Sequence, residues 1–356
     1  MRRVLVVKTS SMGDVIHTLP ALTDAVDAIG DIRFDWVVEE NFAEIPRWHP
    51  AVDAVIPVAI RRWRKTPLRS LRGDEWKQFR AQLRRQPYDA IIDAQGLLKS
   101  AWLTLLAQGP RYGLDAASAR EPMASRFYQH RLPVAKGQHA VERVRQLFAQ
   151  ALNYTLPSGV GAGVGAVIGS DIGAVIGNYG LQSVVFDAAQ VPVADYAVCL
   201  HGTTWPEKHY PEPYWREVIE ALRERGLTVV LPWGSERERE RAERLVQGVN
   251  NACVLPRCTL NQLAAVLQKA KIVIAVDTGL GHLTAALDTP CVSLYGPTSP
   301  RLVGAYGLHQ RHLLAGEFPA RVGLDVEPRV FAGLTPDIVI KAADQLLLEK
   351  VLQVEP

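Results

Sequence analysis

Short apolar runs rich in β-branched residues alternate along this chain with amphipathic stretches. Val4–Val7 is the first run; the polar cluster Lys8-Thr9-Ser10-Ser11-Met12-Gly13-Asp14 follows, then apolar positions spaced from Val15 to Leu22. Such a run reads as a parallel strand buried on both faces, the cluster as a tight turn and the spacing as a helix. In the first half the pattern predicts strands over 4–8, 34–38, 54–60 and 90–93. Helices are predicted over 15–28, 74–86, 97–108 and 139–152, with a short helical stretch near 41–48. A second series predicts strands over 197–200, 228–231, 252–254, 272–276 and 292–295, and helices over 211–225, 235–247, 259–269 and 281–287. Thr335-Pro336-Asp337 sets an N-cap before a first-turn proline and opens a last helix to about residue 352. Strands alternating with helices imply parallel sheets wrapped by helices: an α/β chain of two Rossmann-like units in tandem, with a ligand cleft expected where they face.

A length of 356 residues accommodates two domains, and 48% hydrophobic with 22% charged residues is the balance of a soluble globular protein. The expected division is 1–157, an interdomain segment over 158–190, 191–330, and a C-terminal helix over 331–356. Arg2 and Arg3 precede only four apolar residues before Lys8, so no secretory signal is expected. Cys199, Cys253, Cys258 and Cys291 lack paired spacing and read as reduced thiols of a cytoplasmic protein. The nine histidines form no metal-binding array, and no metal ligands are assigned. Gly159 to Gly180 holds eight glycines, with Gly161, Gly165, Gly169, Gly173 and Gly177 at every fourth position. Such a stripe packs transmembrane helices, but Ser170-Asp171 at its middle and the helix cost of glycine favour a linker.

The net charge of +3 is unevenly placed: ten Lys/Arg against two Asp/Glu lie between Arg61 and Arg85. A block of this kind is ordinarily a solvated helix face. Here Trp63, Trp76 and Phe79 interleave with the charges, and Arg61-Arg62-Trp63-Arg64-Lys65 follows a predicted strand directly. That placement suits a polyanionic partner such as a phosphorylated lipid, acidic sugar or nucleic acid.

Candidate chemistry sits in loops after strands, where open α/β sheets bind ligands. Asp14 serves either as an N-cap or as a catalytic base, and its loop alone does not decide. The loop has one glycine and is not a dinucleotide fingerprint. Ile272–Val276 runs into Asp277-Thr278-Gly279 and a helix carrying His282, a helix start that favours an anion or is simply capped by Asp277 and Thr278. Tyr295-Gly296-Pro297-Thr298 makes a second turn on the same edge. His201-Gly202-Thr203-Thr204-Trp205-Pro206-Glu207-Lys208 offers two hydroxyls and a lysine to a pyrophosphate, or forms a hydroxyl-capped turn with a solvated lysine. Trp233-Gly234-Ser235-Glu236-Arg237-Glu238 opens a highly charged helix.

The chain resembles the lipopolysaccharide heptosyltransferases, ADP-heptose glycosyltransferases of family 9 with the GT-B fold, and among them the type I branch. The resemblance rests on residues 8–14, Arg61-Arg62-Trp63-Arg64-Lys65, Asp93-Ala94-Gln95-Gly96-Leu97, Arg120-Glu121-Pro122, Gln138-His139-Ala140-Val141-Glu142-Arg143 and Asp277-Thr278-Gly279. It spans nearly the whole chain except the glycine-rich segment. It implies Asp14 as catalytic base, with Thr203, Thr204, Lys208, Thr278 and Gly279 on the donor phosphates. Glu238 would bond the ribose, Asp277 the heptose hydroxyls, His282 would line the pocket, and Cys258 would lie near adenine. Arg61, Arg62, Arg64, Lys65 and Arg120, with Ser10, Ser11 and His139, would meet the anionic acceptor. The implied reaction moves heptose with inversion from ADP-heptose to the first Kdo of Kdo-lipid A. The enzyme would be peripheral on the cytoplasmic face of the inner membrane, with no nucleic acid partner and no required cofactor, magnesium being compatible. A sugar-nucleotide epimerase, a type II heptosyltransferase and a non-catalytic anionic-lipid binder are the alternatives.

Overall fold

The computed structural model describes residues 1–65, 70, 73–156, 177–187, 191, 195–319 and 326–354. They divide into two compact units: described residues up to 156 with 177–184, and those from Val185 onward. Residues 157–176, most of the glycine-rich segment, lie outside the described residues, and with them the choice between linker and helix.

The first unit carries β1 Arg2–Val7, β2 Ile32–Glu39, β3 Val52–Val58, β4 Ala90–Asp93, β5 Arg111–Leu114 and β6 His130–Leu132. They form one parallel sheet in the order β3-β2-β1-β4-β5-β6. Its helices are α1 Met12–Ile16, α2 Leu19–Ile29, α3 Glu44–Arg47, α4 Ile60–Trp63, α5 Asp74–Leu83, α6 Leu98–Thr104 and α7 Ala140–Leu152. The second unit carries β7 Tyr196–Leu200, β8 Thr228–Leu231, β9 Ala252–Val254, β10 Ile272–Val276, β11 Cys291–Tyr295 and β12 Gln310–Leu314. Its sheet is also parallel, in the order β12-β11-β10-β7-β8-β9. Around it lie α8 Glu212–Glu224, α9 Glu236–Val246, α10 Leu260–Lys269, α11 Gly279–Ala286, α12 Pro300–Val303 and α13 Pro336–Val354.

Counted from each unit's own first strand, both sheets run 3-2-1-4-5-6, the doubly wound order that reverses beside its first strand. The reversal opens a crevice at the carboxyl ends of β1 and β4 in one unit and of β7 and β10 in the other. Strand burial explains why these positions are apolar: Val4–Val7 and Ile272–Ala275 are fully enclosed. In the second core, α8 turns Trp215, Val218, Ile219 and Leu222 inward, and α13 adds Val339, Ala342, Ala343 and Leu346.

Three strands escape the hydrophobic pattern. β5, β6 and β12 carry Arg111, His130, Arg131, Gln310, Arg311 and His312, and β6 and β12 are sheet edges, where polar residues block further pairing. The helix expected over 15–28 is two helices. The Thr18 hydroxyl donates to the Asp14 carbonyl at 2.9 Å, and Pro20 has no N–H to continue the ladder. β3 stops at Val58, short of the expected Ile60. The Glu39 carboxylate accepts from Ile60 N–H (3.1 Å) and Arg61 N–H (2.9 Å), so Arg61 and Arg62 stand on a helical turn. Between α2 and α7 a buried ion pair joins Arg145 to Asp24 through two bonds of 2.6 and 2.9 Å.

Candidate functional site

In the first crevice the loop after β4 holds the loop after β1. Gln95 Oε1 accepts from the N–H groups of Thr9 (3.0 Å) and Ser10 (3.2 Å), and its Nε2 donates to the Ser10 carbonyl at 2.6 Å. Lys8 Nζ donates to the Ala94 carbonyl at 2.9 Å. Asp93 anchors the β4 loop from inside, accepting from Gln95 N–H (2.8 Å), Gly96 N–H (3.2 Å), the Ser100 hydroxyl (2.8 Å) and the Tyr128 hydroxyl (2.7 Å). Complete burial raises its pKa even against those four bonds.

Asp14 stands on α1 above this scaffold. Its Oδ2 accepts from Ser11 N–H (2.9 Å) and the Ser11 hydroxyl (2.8 Å), while Lys8 Nζ lies 3.5 Å from Oδ1. Burial pushes the carboxyl up, but the Lys8 ammonium and the two Ser11 bonds outweigh it and leave it below its ordinary value. The side chain is 33% exposed. Cap and base are therefore compatible: one oxygen closes the capping box, and the ionised group remains open to a ligand.

Around it, Ser11 is exposed and Ser10 buried, with Lys99 Nζ 3.4 Å from the Ser10 hydroxyl. Arg120 is exposed and is drawn beside the β4 loop by the bond from Glu121 N–H to the Gly96 carbonyl (3.1 Å). His139 is buried, its Nδ1 capping α7 by accepting from Val141 N–H at 3.2 Å, and its ring meets that of His17 edge-on at 5.3 Å. In the basic block Arg62 is tied to Glu40 (3.1 Å) and Glu75 (2.9 Å), and Arg61 lies over the Phe42 ring at 5.7 Å. Arg64 and Lys65 are exposed and have no carboxylate partner among the described residues.

The second crevice converges on Asp277. Lys208 Nζ, from the loop after β7, donates to its Oδ2 at 2.7 Å, and the Thr298 hydroxyl, from the loop after β11, donates to the same oxygen at 2.7 Å. The Thr203 hydroxyl donates to the Asp277 carbonyl at 3.2 Å. Three strand-end loops thus share one carboxylate. Thr278 is the N-cap of α11 and makes no side-chain cap, so its hydroxyl does not occupy the N–H groups that open that helix at Gly279. His282 is buried within α11. Thr204 is exposed in the β7 loop.

Glu238 Oε2 accepts from Gly234 N–H (2.7 Å) and Ser235 N–H (3.1 Å), which stiffens the loop after β8. Its Oε1 lies against Gly202, where a Cβ would stand 2.7 Å away; glycine permits that approach. Cys258 donates its thiol to the Pro256 carbonyl at 3.2 Å, and burial raises its pKa, so it stays neutral. Burial, helped by the Arg241 charge, pushes the enclosed His201 down to about 4.

Four supporting residues lie in motifs the sequence shows but carry no role in that reading: Lys8, Asp93, Gln95 and Thr298. Their signal is position, since each sits at or just after the carboxyl end of a strand beside a sheet reversal or its neighbour. Among the described residues no group of three or more His, Cys, Asp or Glu is placed to hold a metal ion, and no helix is long and apolar enough to cross a membrane.

Residues 76–325 match Glycosyltransferase family 9 (heptosyltransferase). Lipopolysaccharide heptosyltransferase 1 of Pseudomonas aeruginosa is 60% identical over 318 residues, 89% of this chain and 84% of the relative. The solved structure of E. coli heptosyltransferase WaaC with ADP superposes with a TM-score of 0.83 at 47% identity, covering 97% of this chain and 99% of that one. The same enzyme with ADP-2-deoxy-2-fluoro heptose gives 0.79 at 47% identity, over 98% and 99% of the two chains. With two sheets of doubly wound order, an ordered carboxylate at one reversal and a phosphate-friendly cluster at the other, this chain belongs to glycosyltransferase family 9, the heptosyltransferases.

Proposed function

We propose that this glycosyltransferase moves L-glycero-D-manno-heptose from ADP-heptose to the first Kdo of Kdo-lipid A, inverting the anomeric centre. The observation that carries the reading is Asp14: an ionised, partly open carboxylate held rigidly at a sheet reversal. Inversion in one displacement needs one base, and Asp14 takes the acceptor hydroxyl proton as that oxygen attacks the anomeric carbon. The bond from that carbon to the diphosphate breaks, and ADP leaves. Lys208, Thr203, Thr204 and the N–H groups opening α11 meet the charge that develops on the departing diphosphate. Asp277 receives heptose hydroxyls, Glu238 the ribose, and the partly buried Cys258 borders adenine. The exposed Arg61, Arg64, Lys65 and Arg120 hold the anionic acceptor at the cytoplasmic face of the inner membrane.

The test is a coupled assay of ADP release from ADP-heptose with and without Kdo-lipid A. Release that requires the acceptor supports the proposal. Isomerisation of the sugar nucleotide without acceptor would indicate an epimerase, and lipid binding without turnover a non-catalytic binder. With no metal in the proposed chemistry, chelation by EDTA should change the rate by less than about twofold, since Lys208 and fixed N–H donors carry the charge stabilisation.

A further inference from the structure

Beside the basic block the first unit carries an apolar cavity that the proposed transfer leaves unused. Its volume, about 460 Å³, falls in the range of small-molecule sites. Val58, Trp63, Trp76, Leu98, Trp102 and Leu103 supply most of its apolar wall, and two exposed cations, Arg64 and Lys99, also line it, with Ile60 and Ser70. Trp76 and Trp102 stack at 5.6 Å with planes 10° apart, and Trp63 meets Trp76 edge-on at 5.6 Å. These are large, stiff apolar surfaces. One side opens to solvent along α6 and its C-cap, where Leu98, Trp102 and Leu105 are 43%, 41% and 43% exposed at i, i+4, i+7 spacing. Exposed apolar surface rimmed by charge marks an interaction site.

Charge identifies the occupant. Arg62 is neutralised by Glu40 and Glu75, whereas Arg64 and Lys99 have no carboxylate partner among the described residues. An apolar cavity lined by two uncompensated cations complements an amphiphile with an anionic head. Lys99 also lies 3.4 Å from the Ser10 hydroxyl, on the loop that leads to Asp14, so the cavity adjoins the acceptor end of the first crevice. We propose that the cavity takes one acyl chain of the anionic acceptor lipid, with the head group at Arg64 and Lys99. This rests on the acceptor reading above.

The probe is dodecyl phosphate below its micelle concentration, compared with inorganic phosphate, dodecyl maltoside and phosphatidylglycerol vesicles. Binding is read by calorimetry and by quenching of tryptophan fluorescence with a brominated chain. Affinity should rise by about two- to fourfold per methylene from octyl to dodecyl phosphate, the upper figure being full burial. Leu98→Trp, which fills the cavity, should weaken dodecyl phosphate about tenfold or more through loss of that burial. Lys99→Ala should weaken dodecyl phosphate and leave dodecyl maltoside unaffected; as a surface change it also guards against misfolding of the first variant. With the enzyme turning over, Leu98→Trp should raise KM for the acylated acceptor about tenfold and for the fully deacylated acceptor less than about twofold. No binding of dodecyl phosphate, equal binding by the variants, or binding confined to vesicles overturns the proposal. The probe needs no sugar nucleotide. A protein that binds it but transfers no heptose therefore keeps the acyl site and loses the functional reading, while one that transfers without binding it loses only the acyl site.

Discussion

Lys208→Met removes one charge from the Asp277 cluster and keeps a side chain of similar length. The ammonium stands 2.7 Å from Asp277 Oδ2, and the two side chains are 18% and 13% exposed. At an effective dielectric of about 20 their attraction is about 6 kcal/mol before desolvation is counted. Breaking a fully buried pair costs about 3–5 kcal/mol because a charge is left unpaired. Here the Thr298 hydroxyl still serves Asp277 and some solvent reaches it, so about 2–3 kcal/mol of stability should be lost. Loss of the charged donor to the diphosphate costs about 1.5–3 kcal/mol, roughly 10- to 150-fold in ADP affinity. Adding Asp277→Asn separates the two effects. The double variant no longer carries an orphan carboxylate and should recover stability, while its ADP affinity stays low. Urea denaturation and calorimetric titration with ADP on the same samples read both. If Lys208→Met leaves ADP affinity unchanged, or if affinity recovers with stability in the double variant, Lys208 is only the counter-ion of Asp277.

Lys8→Met should move the acid limb of kcat/KM to higher pH, because burial then raises the Asp14 carboxyl with less opposition. The lowered folded-state value also means that Asp14 stabilises the native protein above its unfolded pKa and loses that contribution as pH falls through the folded one; an unmoved limb would assign it to another group. Arg145→Met should cost about 3–5 kcal/mol in urea denaturation by leaving Asp24 buried and unpaired, and a loss below about 1 kcal/mol would show the pair to be dispensable. Replacing Arg61, Arg62, Arg64 and Lys65 together by alanine should raise the acceptor KM and flatten its salt dependence, at about 1 kcal/mol per basic residue near an anionic surface. Arg62→Ala alone should have the smallest effect of the four, since Glu40 and Glu75 already hold that guanidinium; a dominant effect would place it on the acceptor.

The sheet centres were legible because central parallel strands are buried on both faces and therefore read as apolar runs, as at Val4–Val7 and Ile272–Val276. Edge strands such as His130–Leu132 and Gln310–Leu314 are polar for the opposite reason and could not be read by the same rule. The break at Thr18 was also hidden. Pro20 is tolerated in the first turn of a helix, so its presence marks a boundary only once the preceding turn is known. Loop chemistry was legible as residue types at strand ends, and Lys208, Asp277 and Thr203 do meet there. What sequence could not supply was pairing. Arg62 and Arg64 look alike in the basic block, yet one is neutralised from residues 22 and 13 positions away and the other is not. His139, which the resemblance implies as an acceptor contact, also caps α7 through a ring nitrogen, a pairing its residue type alone does not reveal.

The most direct test of the account is Asp14→Asn, measured for heptose transfer and ADP affinity together. Asparagine keeps the size of the side chain and an oxygen for the bonds from Ser11, so the capping box and the fold should survive. It cannot take the acceptor proton. Transfer should fall by about two to four orders of magnitude while ADP affinity stays within about threefold of the unaltered enzyme. Transfer within about tenfold of the unaltered rate would contradict the assignment of Asp14 as the base.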